Sequence, residues 1–178
     1  MENKDEKLKQ ALEAFAKGDY GIAFEIFRPL AENGTATAQF YLGFLYRVGQ
    51  GVEQNFNKAY HWYSLAAEQG HAEAQYKVGL MYYKGQAVSQ NYQKAYHWYS
   101  LSAEQEDKKA QFNLGVLYRK GLGVPKDHQE AFKWFSLAGK QNYPIAQFTL
   151  GGLYEKGEGT SQDYGKAIKW LTLAGKQG

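Results

Sequence analysis

Apolar residues between positions 36 and 49 follow the period of an α-helix. They are Ala38, Leu42, Leu45 and Tyr46. This spacing of three and four residues puts them on one helix face, and Gly49 ends the pattern. The sequence GQGVEQN that follows is rich in glycine and predicts a tight turn, with Gly49 in a left-handed conformation.

A second apolar face follows this turn. In the stretch NKAYHWYSLAAEQG, a second predicted helix carries Ala59, Trp62, Tyr63 and Ala66 on one side and ends at Gly70. The two helices predict a helix-turn-helix hairpin. A single hairpin of this kind cannot bury its own apolar face, so a neighbour is needed.

The hairpin pattern repeats every 36 residues without a gap. Its copies are Ala38-Gln39, Ala74-Gln75, Ala110-Gln111 and Ala146-Gln147; Gly43, Gly79, Gly115 and Gly151; and Trp62, Trp98, Trp134 and Trp170. Stacked helix-turn-helix repeats are therefore predicted at 36–71, 72–107, 108–143 and 144–178, within one domain over 1–178. Residues 5–34 are a shortened, degenerate copy that predicts an N-terminal cap.

The repeated residues, A-x-A-Q-x-x-L-G-x-x-Y-x-x-G-x-G followed by K-A-x-x-W, resemble the Sel-one-like repeat family. The likeness covers 36–178 as four full units and 5–34 more loosely. It implies an all-α fold, a right-handed α/α solenoid related to tetratricopeptide repeats, in which the first helix of each unit lines a concave groove. Members of this family are scaffolds and adaptors, so the resemblance implies a protein-binding, non-catalytic role.

Four positions depart from this pattern. They are Ala87 in place of the second loop glycine, Val78 in place of leucine, and Gly139 and Gly175 in place of alanine. We expect none of them to weaken the element in which it lies. The recurring glycine at Gly43 lies inside a helix, where it costs about 1 kcal/mol relative to alanine. Its recurrence predicts a close helix–helix approach, with Ala59 as the small partner.

The tryptophans and histidines of the repeated AYHWYS stretch admit chemical and structural interpretations. The tryptophans share a predicted helix face with small alanines, which favours an aromatic core over platforms for stacking nucleic-acid bases. His61 and His97 occupy a position that holds lysine at 133 and 169, so they are expected on the surface. His71 and His128 are expected in loops without a matched acid. No metal site is predicted.

The sequence does not support catalysis, cofactor binding or nucleic-acid binding. The chain has no cysteine, its glycine-rich turns lack a phosphate-binding motif, and serines recur at one repeat position without a base. We therefore predict no catalytic residue and no cofactor. A net charge of +3 is too small for a sequence-independent nucleic-acid binder.

Targeting signals are also missing from the sequence as it stands. No run of 18 apolar residues predicts a membrane-inserted segment, and the charged start MENKDEKLKQ is unlike a signal peptide. The sequence as it stands indicates a cytoplasmic protein. A periplasmic or secreted location follows instead if a leader has been removed.

The first helices also carry positions that differ from copy to copy while their neighbours stay constant. The predicted groove-binding residues are Tyr41, Phe44, Arg47, Glu73, Lys77, Leu80, Tyr83, Asn113, Arg119, Thr149 and Glu155. Such variation suits a specific binding surface, and it also suits positions under no restraint. With Arg47, Lys77 and Arg119 against Glu73 and Glu155, this surface predicts an acidic protein or peptide partner.

Two functions follow from this organisation. The first is a scaffold or adaptor that binds a peptide or protein in the concave groove. The alternative is a regulator or immunity-type inhibitor that binds and blocks a partner enzyme.

The end of the last repeat is predicted to expose apolar side chains: Ile168 and Leu171 are expected to be partly exposed. This predicts that the natural chain continues past Gly178, or that the end packs against another molecule, including by end-to-end self-association.

Overall fold

The computed structural model describes residues 3–176, and over these residues the regular structure is entirely helical. The ten helices are α1 (Lys4–Lys17), α2 (Tyr20–Glu32), α3 (Ala36–Val48), α4 (Phe56–Glu68), α5 (Ala72–Lys84), α6 (Tyr92–Glu104), α7 (Lys108–Lys120), α8 (His128–Lys140), α9 (Pro144–Lys156) and α10 (Tyr164–Gly175). Their order confirms the predicted all-α fold of helix-turn-helix repeats.

The helices divide into two compact units. The first unit spans Met1–Gln90 and holds α1 to α5, and the second spans Asn91–Gly178 and holds α6 to α10. In the first unit α3 packs on α4 and α4 packs on α5, while in the second α7 packs on α8 and α8 packs on α9. A single domain over 1–178 stays a prediction.

Local chemistry fixes where each helix starts and stops. Gly49 has φ 73° and donates its N–H to the carbonyl of Leu45, which confirms the predicted left-handed end of α3. Left-handed glycines also end α5, α7 and α9. At the other side of the turn, the side chain of Asn55 accepts a hydrogen bond from the N–H of Lys58 and so caps the start of α4.

The substitution at Ala87 does affect its turn. Ala87 has φ 63°, at the position where Gly51, Gly123 and Gly159 have φ of 72°, 73° and 73°. A residue with a Cβ is disfavoured in this left-handed conformation by about 1–2 kcal/mol. The expectation that this departure weakens no element is therefore wrong for Ala87.

The predicted close approach of the two helices in a hairpin is confirmed. A Cβ atom placed on Gly43 would lie 2.8 Å from the ring of Tyr63 and 3.2 Å from the carbonyl oxygen of Ala59. In the second unit, a Cβ atom on Gly115 would lie 2.7 Å from the ring of Phe135. No side chain fits at either position without a shift of its neighbours.

The fully buried rings are not the tryptophans. Tyr63 and Tyr99 are 0% exposed and Phe135 is 1% exposed, whereas the tryptophan before each of these rings is only half-buried. Trp62, for example, packs on the edge of the core of the first unit. The tryptophans therefore pack against the core, as Trp62 and Trp170 show, but the innermost aromatic residue is the next one along the helix.

The glutamine of each Ala-Gln pair is buried and joins successive hairpins. The side-chain nitrogen of Gln39 donates to the carbonyl oxygen of Ala31 near the end of α2 at 3.1 Å, and its side-chain oxygen accepts from Gln69 at 2.7 Å. Gln75, Gln111 and Gln147 make the same bond to the carbonyl eight residues earlier. Each bond gives the buried side-chain amide nitrogen of the glutamine a partner, while the carbonyl also accepts a backbone N–H.

Replacing Phe135 by alanine should lower the free energy of unfolding by about 3–5 kcal/mol, because it empties a fully buried site. Trp134→Ala should cost less, since the indole is half-buried, and Lys133→Ala should stay within about 0.5 kcal/mol, as is usual at exposed positions. Urea denaturation of the three variants measures these values. Equal losses at positions 134 and 135 would contradict the assignment of the buried ring.

Candidate binding surface

The eleven predicted groove residues all lie on first helices and outside the core. Glu73 and Glu155 are exposed, and the other nine are half-buried. Seven of them belong to the first unit, on α3 and α5, and four belong to the second, on α7 and α9. Their accessibility is compatible with binding, and their role in binding stays a prediction.

In the first unit, two of the predicted aromatic residues also hold the N-terminal hairpin. The ring of Phe15 in α1 lies 4.8 Å from that of Tyr41 and 5.4 Å from that of Phe44, both edge to face. Tyr41 also stacks on Phe27 of α2, with ring centres 5.1 Å apart. One face of these rings is therefore occupied within the molecule.

Aromatic contacts hold Arg47 in place. Its guanidinium carbon lies 5.3 Å from the centre of the Phe44 ring, a cation–π distance, and its Nε is buried without a hydrogen-bond partner among residues 3–176. Arg47 also lies beside the hydroxyl of Tyr63. Burial raises the pKa of Tyr63 to about 12, although Arg47 acts in the opposite direction. The phenol therefore stays neutral at physiological pH.

Glu73 of α5 adds a negative charge close to α3. Burial and then the charge of Glu73 raise the pKa of Tyr41. His71 lies just before Glu73, and its Nδ1 accepts the N–H of Ala74 at 3.3 Å while its ring stacks 4.7 Å from Phe40. Burial lowers the pKa of His71, so this residue is a neutral helix cap.

The second unit contains an ion pair that the sequence did not indicate. Arg119 donates two hydrogen bonds to Glu158, at 2.7 and 2.9 Å, and Nδ1 of His128 lies 2.9 Å from the same carboxylate. The hydrogen bond from Arg119 is the main cause that holds the pKa of Glu158 below its usual value, and His128 contributes. The expectation that His128 lies in a loop without a matched acid is therefore wrong: it is the first residue of α8 and has Glu158 beside it. The role of Arg119 in binding stays a prediction, with its charge already paired to Glu158.

The other predicted residues of the second unit are polar and have little aromatic support. The hydroxyl of Thr149 donates to the carbonyl of Ile145 within its own helix at 2.8 Å. The Glu155 side chain is exposed, and the Glu155 carbonyl accepts from Gln162 at 2.8 Å. Asn113 is half-buried on α7. The aromatic part of the predicted surface therefore lies in the first unit.

Residues 3–176 have the geometry of neither a metal site nor a membrane-spanning helix. No group of three or more histidines and carboxylates in this part of the chain comes close enough together to hold a metal ion. His61 and His97 are exposed, as expected. Each helix in the described range is too short or too polar to cross a lipid bilayer.

Comparison with protein families identifies these repeats. The Sel1 repeat model matches residues 36–71, 72–107, 108–143 and 144–178, so the chain belongs to the Sel1 repeat family, whose fold is an α/α solenoid. Sel1 repeat proteins generally mediate protein–protein interaction, and their fold is typically a non-catalytic scaffold. No curated protein sequence matches the chain.

Solved bacterial structures support the same assignment. A Sel1 repeat protein from Oxalobacter formigenes is 32% identical, with a TM-score of 0.90 over 99% of this chain and 74% of that chain. The antigen c5321 of uropathogenic Escherichia coli, which displays an SLR fold, is 29% identical, with a TM-score of 0.92 over 98% of this chain and 38% of that chain. The immunity protein Pa5087 of Pseudomonas aeruginosa is 26% identical, with a TM-score of 0.62 over 96% of this chain and 64% of that chain.

The ion pair of Glu158 should make the free energy of unfolding depend on pH in the acidic range. Because folding lowers the pKa of Glu158, its contribution is fully present above the ordinary pKa of 4.5 and is lost as the pH falls through the lower folded value. Glu158→Gln should therefore lower the free energy of unfolding by about 1 kcal/mol or less at neutral pH, since the pair is partly exposed. The difference from the unsubstituted protein should vanish in acid.

Denaturant melts of the unsubstituted protein and of Glu158→Gln between acid and neutral pH measure this dependence. Glu155→Gln is the matched control, since that carboxylate is exposed, and its effect should be small at every pH. A Glu158→Gln deficit that is the same at low and neutral pH would show that the ion pair does not cause it.

Proposed function

We propose that this chain is a non-catalytic scaffold or adaptor that binds a protein or peptide segment on the exposed faces of its first helices. The main contact is the set in the first unit: Tyr41, Phe44, Arg47, Glu73, Lys77, Leu80 and Tyr83. The set in the second unit, Asn113, Arg119, Thr149 and Glu155, adds polar contacts. This proposal makes the general role of Sel1 repeat proteins specific to named residues.

The observation that carries the proposal is an arginine fixed against aromatic rings on an accessible helix face. Arg47 rests on Phe44, and Phe44 rests on Phe15. Arginine and tyrosine are enriched among the residues that dominate protein–protein binding energies. A side chain already held in one position loses little conformational entropy when it binds. A preorganised cation beside apolar surface suits a segment with a carboxylate next to an apolar anchor.

The charges favour an acidic segment in the first unit. Arg47 and Lys77 outnumber Glu73 among its predicted residues, and an arginine can hold a carboxylate through two parallel hydrogen bonds. In the second unit Glu158 already occupies Arg119 in this way. The proposed acidic specificity therefore rests on Arg47 and Lys77 and no longer on Arg119.

A random peptide library displayed on phage and selected on the immobilised full chain tests this proposal. We expect the enriched peptides to combine Asp or Glu with an apolar anchor. Binding of the synthesised peptides should weaken about tenfold or more in Leu80→Asp, because a charge then enters the apolar contact, a loss of about 1.4 kcal/mol. Lys77→Glu should slow association and reduce its dependence on salt.

The matched control for Lys77→Glu is Lys140→Glu, which makes the same change of charge at an exposed position of the second helix α8. This variant should keep the affinity of the unsubstituted protein. Enriched peptides that bind all three variants equally would place the binding surface elsewhere and contradict the proposal.

Similarity to an immunity protein favours a second candidate, a regulator or immunity-type inhibitor that blocks a partner enzyme. Such an inhibitor is expected beside the gene of its target. Expression of the neighbouring gene product in a test bacterium should then arrest growth, and co-expression of this chain should restore it. Growth that is still restored by the Leu80→Asp variant would favour inhibition through another surface. If this chain does not restore growth, the inhibitor candidate is contradicted and only the scaffold proposal remains.

A further inference from the structure

The last hairpin, α9–α10, has an apolar face that no described residue covers. Ile145 is 55% exposed, Phe148 66%, Ile168 66% and Leu171 38%. Three of these residues, together with neighbours on both helices, border an open cavity of about 480 Å³: it is lined by Pro144, Ile145, Phe148, Leu171, Ala174 and Gly175. We call this surface the end face. Exposed apolar residues that cluster in this way mark a contact surface.

Earlier copies of Phe148 are covered by the residue that precedes the next first helix. Phe148 corresponds to Phe40 and Phe112 at 36-residue spacing. Phe40 is 6% exposed, and the ring of His71, which caps the start of α5, stacks on it at 4.7 Å. The ring of Phe112 meets Tyr143, the residue that precedes α9, at 5.6 Å. Phe148 therefore belongs to a surface that is built to be covered.

The same holds for α10. Ile168 corresponds to Tyr60, Tyr96 and Phe132, and each of these meets a tyrosine on the first helix of the following repeat. The contacts are Tyr60–Tyr82 with oxygens 2.8 Å apart, Tyr96–Tyr118 with oxygens 3.0 Å apart and Phe132–Tyr154 with ring centres 5.2 Å apart. The end face is therefore continuous in register with the contacts between repeats. It should accept a helical surface of similar apolar character.

The N-terminal helix does not offer such a surface. The first helix α1 exposes mostly charged and polar side chains: Lys4, Asp5, Glu6, Lys7, Lys9, Gln10 and Glu13. A head-to-tail contact would bury these groups against Phe148 and Ile168, which costs desolvation without matching apolar area. Among the end surfaces of the described chain, only the end face itself is apolar enough to cover the end face.

We propose that two copies of this chain associate through their end faces in a two-fold, tail-to-tail dimer. Phe148, Ile168 and Leu171 of each copy pack against the same surface of the other. A two-fold contact of this kind uses one patch twice and closes after two copies, so it does not grow into a filament. Phe148, Ile168 and Leu171 are not among the predicted binding residues, whose main set belongs to the first unit, so either proposal can fail without the other.

Sedimentation and light scattering of the full 178-residue chain from micromolar to millimolar concentration test the association. We expect the mass to approach twice that of one chain. Phe148→Glu and Ile168→Glu should each weaken association about tenfold or more, which corresponds to at least about 1.4 kcal/mol. Two variants are used so that a folding defect in one, detected by circular dichroism, does not decide the result. Ile22→Glu is the control, since Ile22 is 59% exposed on α2, and it should associate as the unsubstituted protein does.

Cross-linking distinguishes the orientation, because the chain contains no cysteine of its own. Copies of Gly175→Cys should cross-link to one another, since Gly175 borders the end-face cavity. Copies of Lys9→Cys, on α1, should not cross-link to one another. A mass of one chain at every concentration, a dissociation by Ile22→Glu as large as that by Phe148→Glu, or cross-links only between Gly175→Cys and Lys9→Cys copies would each overturn the proposal.

Discussion

The two helices of a hairpin approach each other so closely that no methyl group fits between them. At Gly43 and Gly115 an added carbon would meet a ring of the second helix at 2.8 and 2.7 Å. A glycine inside a helix costs about 1 kcal/mol, and the complete burial of Tyr63 or Phe135 offsets that cost. Around this contact, the left-handed Gly49 ends the first helix and Asn55 caps the start of the second.

Local chemistry explains why so much of the fold follows from the sequence. Helix ends depend on glycines and capping side chains within four residues, and a 36-residue period shows which helices are equivalent. The innermost ring could not be chosen in this way, because Trp62 and Tyr63 lie on the same side of the helical pattern. The larger indole covers the edge of the core while the smaller ring fits beside Gly43, and only packing in three dimensions decides between them.

The candidate surface was predictable in position and less so in chemistry. Variation between copies identified side chains that the structure keeps outside the core. Their partners within the molecule come from distant parts of the chain: Phe15 lies 26 residues before Tyr41, and Glu158 lies 39 residues after Arg119. Spacing within one repeat does not reveal such contacts. The charge of Arg119, which the sequence presents as available to a ligand, is therefore already paired with Glu158 in the turn after α9.

The buried glutamines link each second helix to the start of the next first helix. The structural unit that they complete therefore ends a few residues after the boundary of the sequence repeat. A carbonyl near the end of each of the second helices α2, α4, α6 and α8 accepts a backbone N–H and, as a second donor, a glutamine from the following first helix, as Ala67 accepts from Gln75. A segment cut at Gly70 keeps the backbone N–H that completes its last turn but loses this second donor, whereas a segment cut after Gln75 keeps both. Recombined or shortened arrays of these repeats are therefore best joined within the first turn of a first helix, although every sequence boundary lies before it.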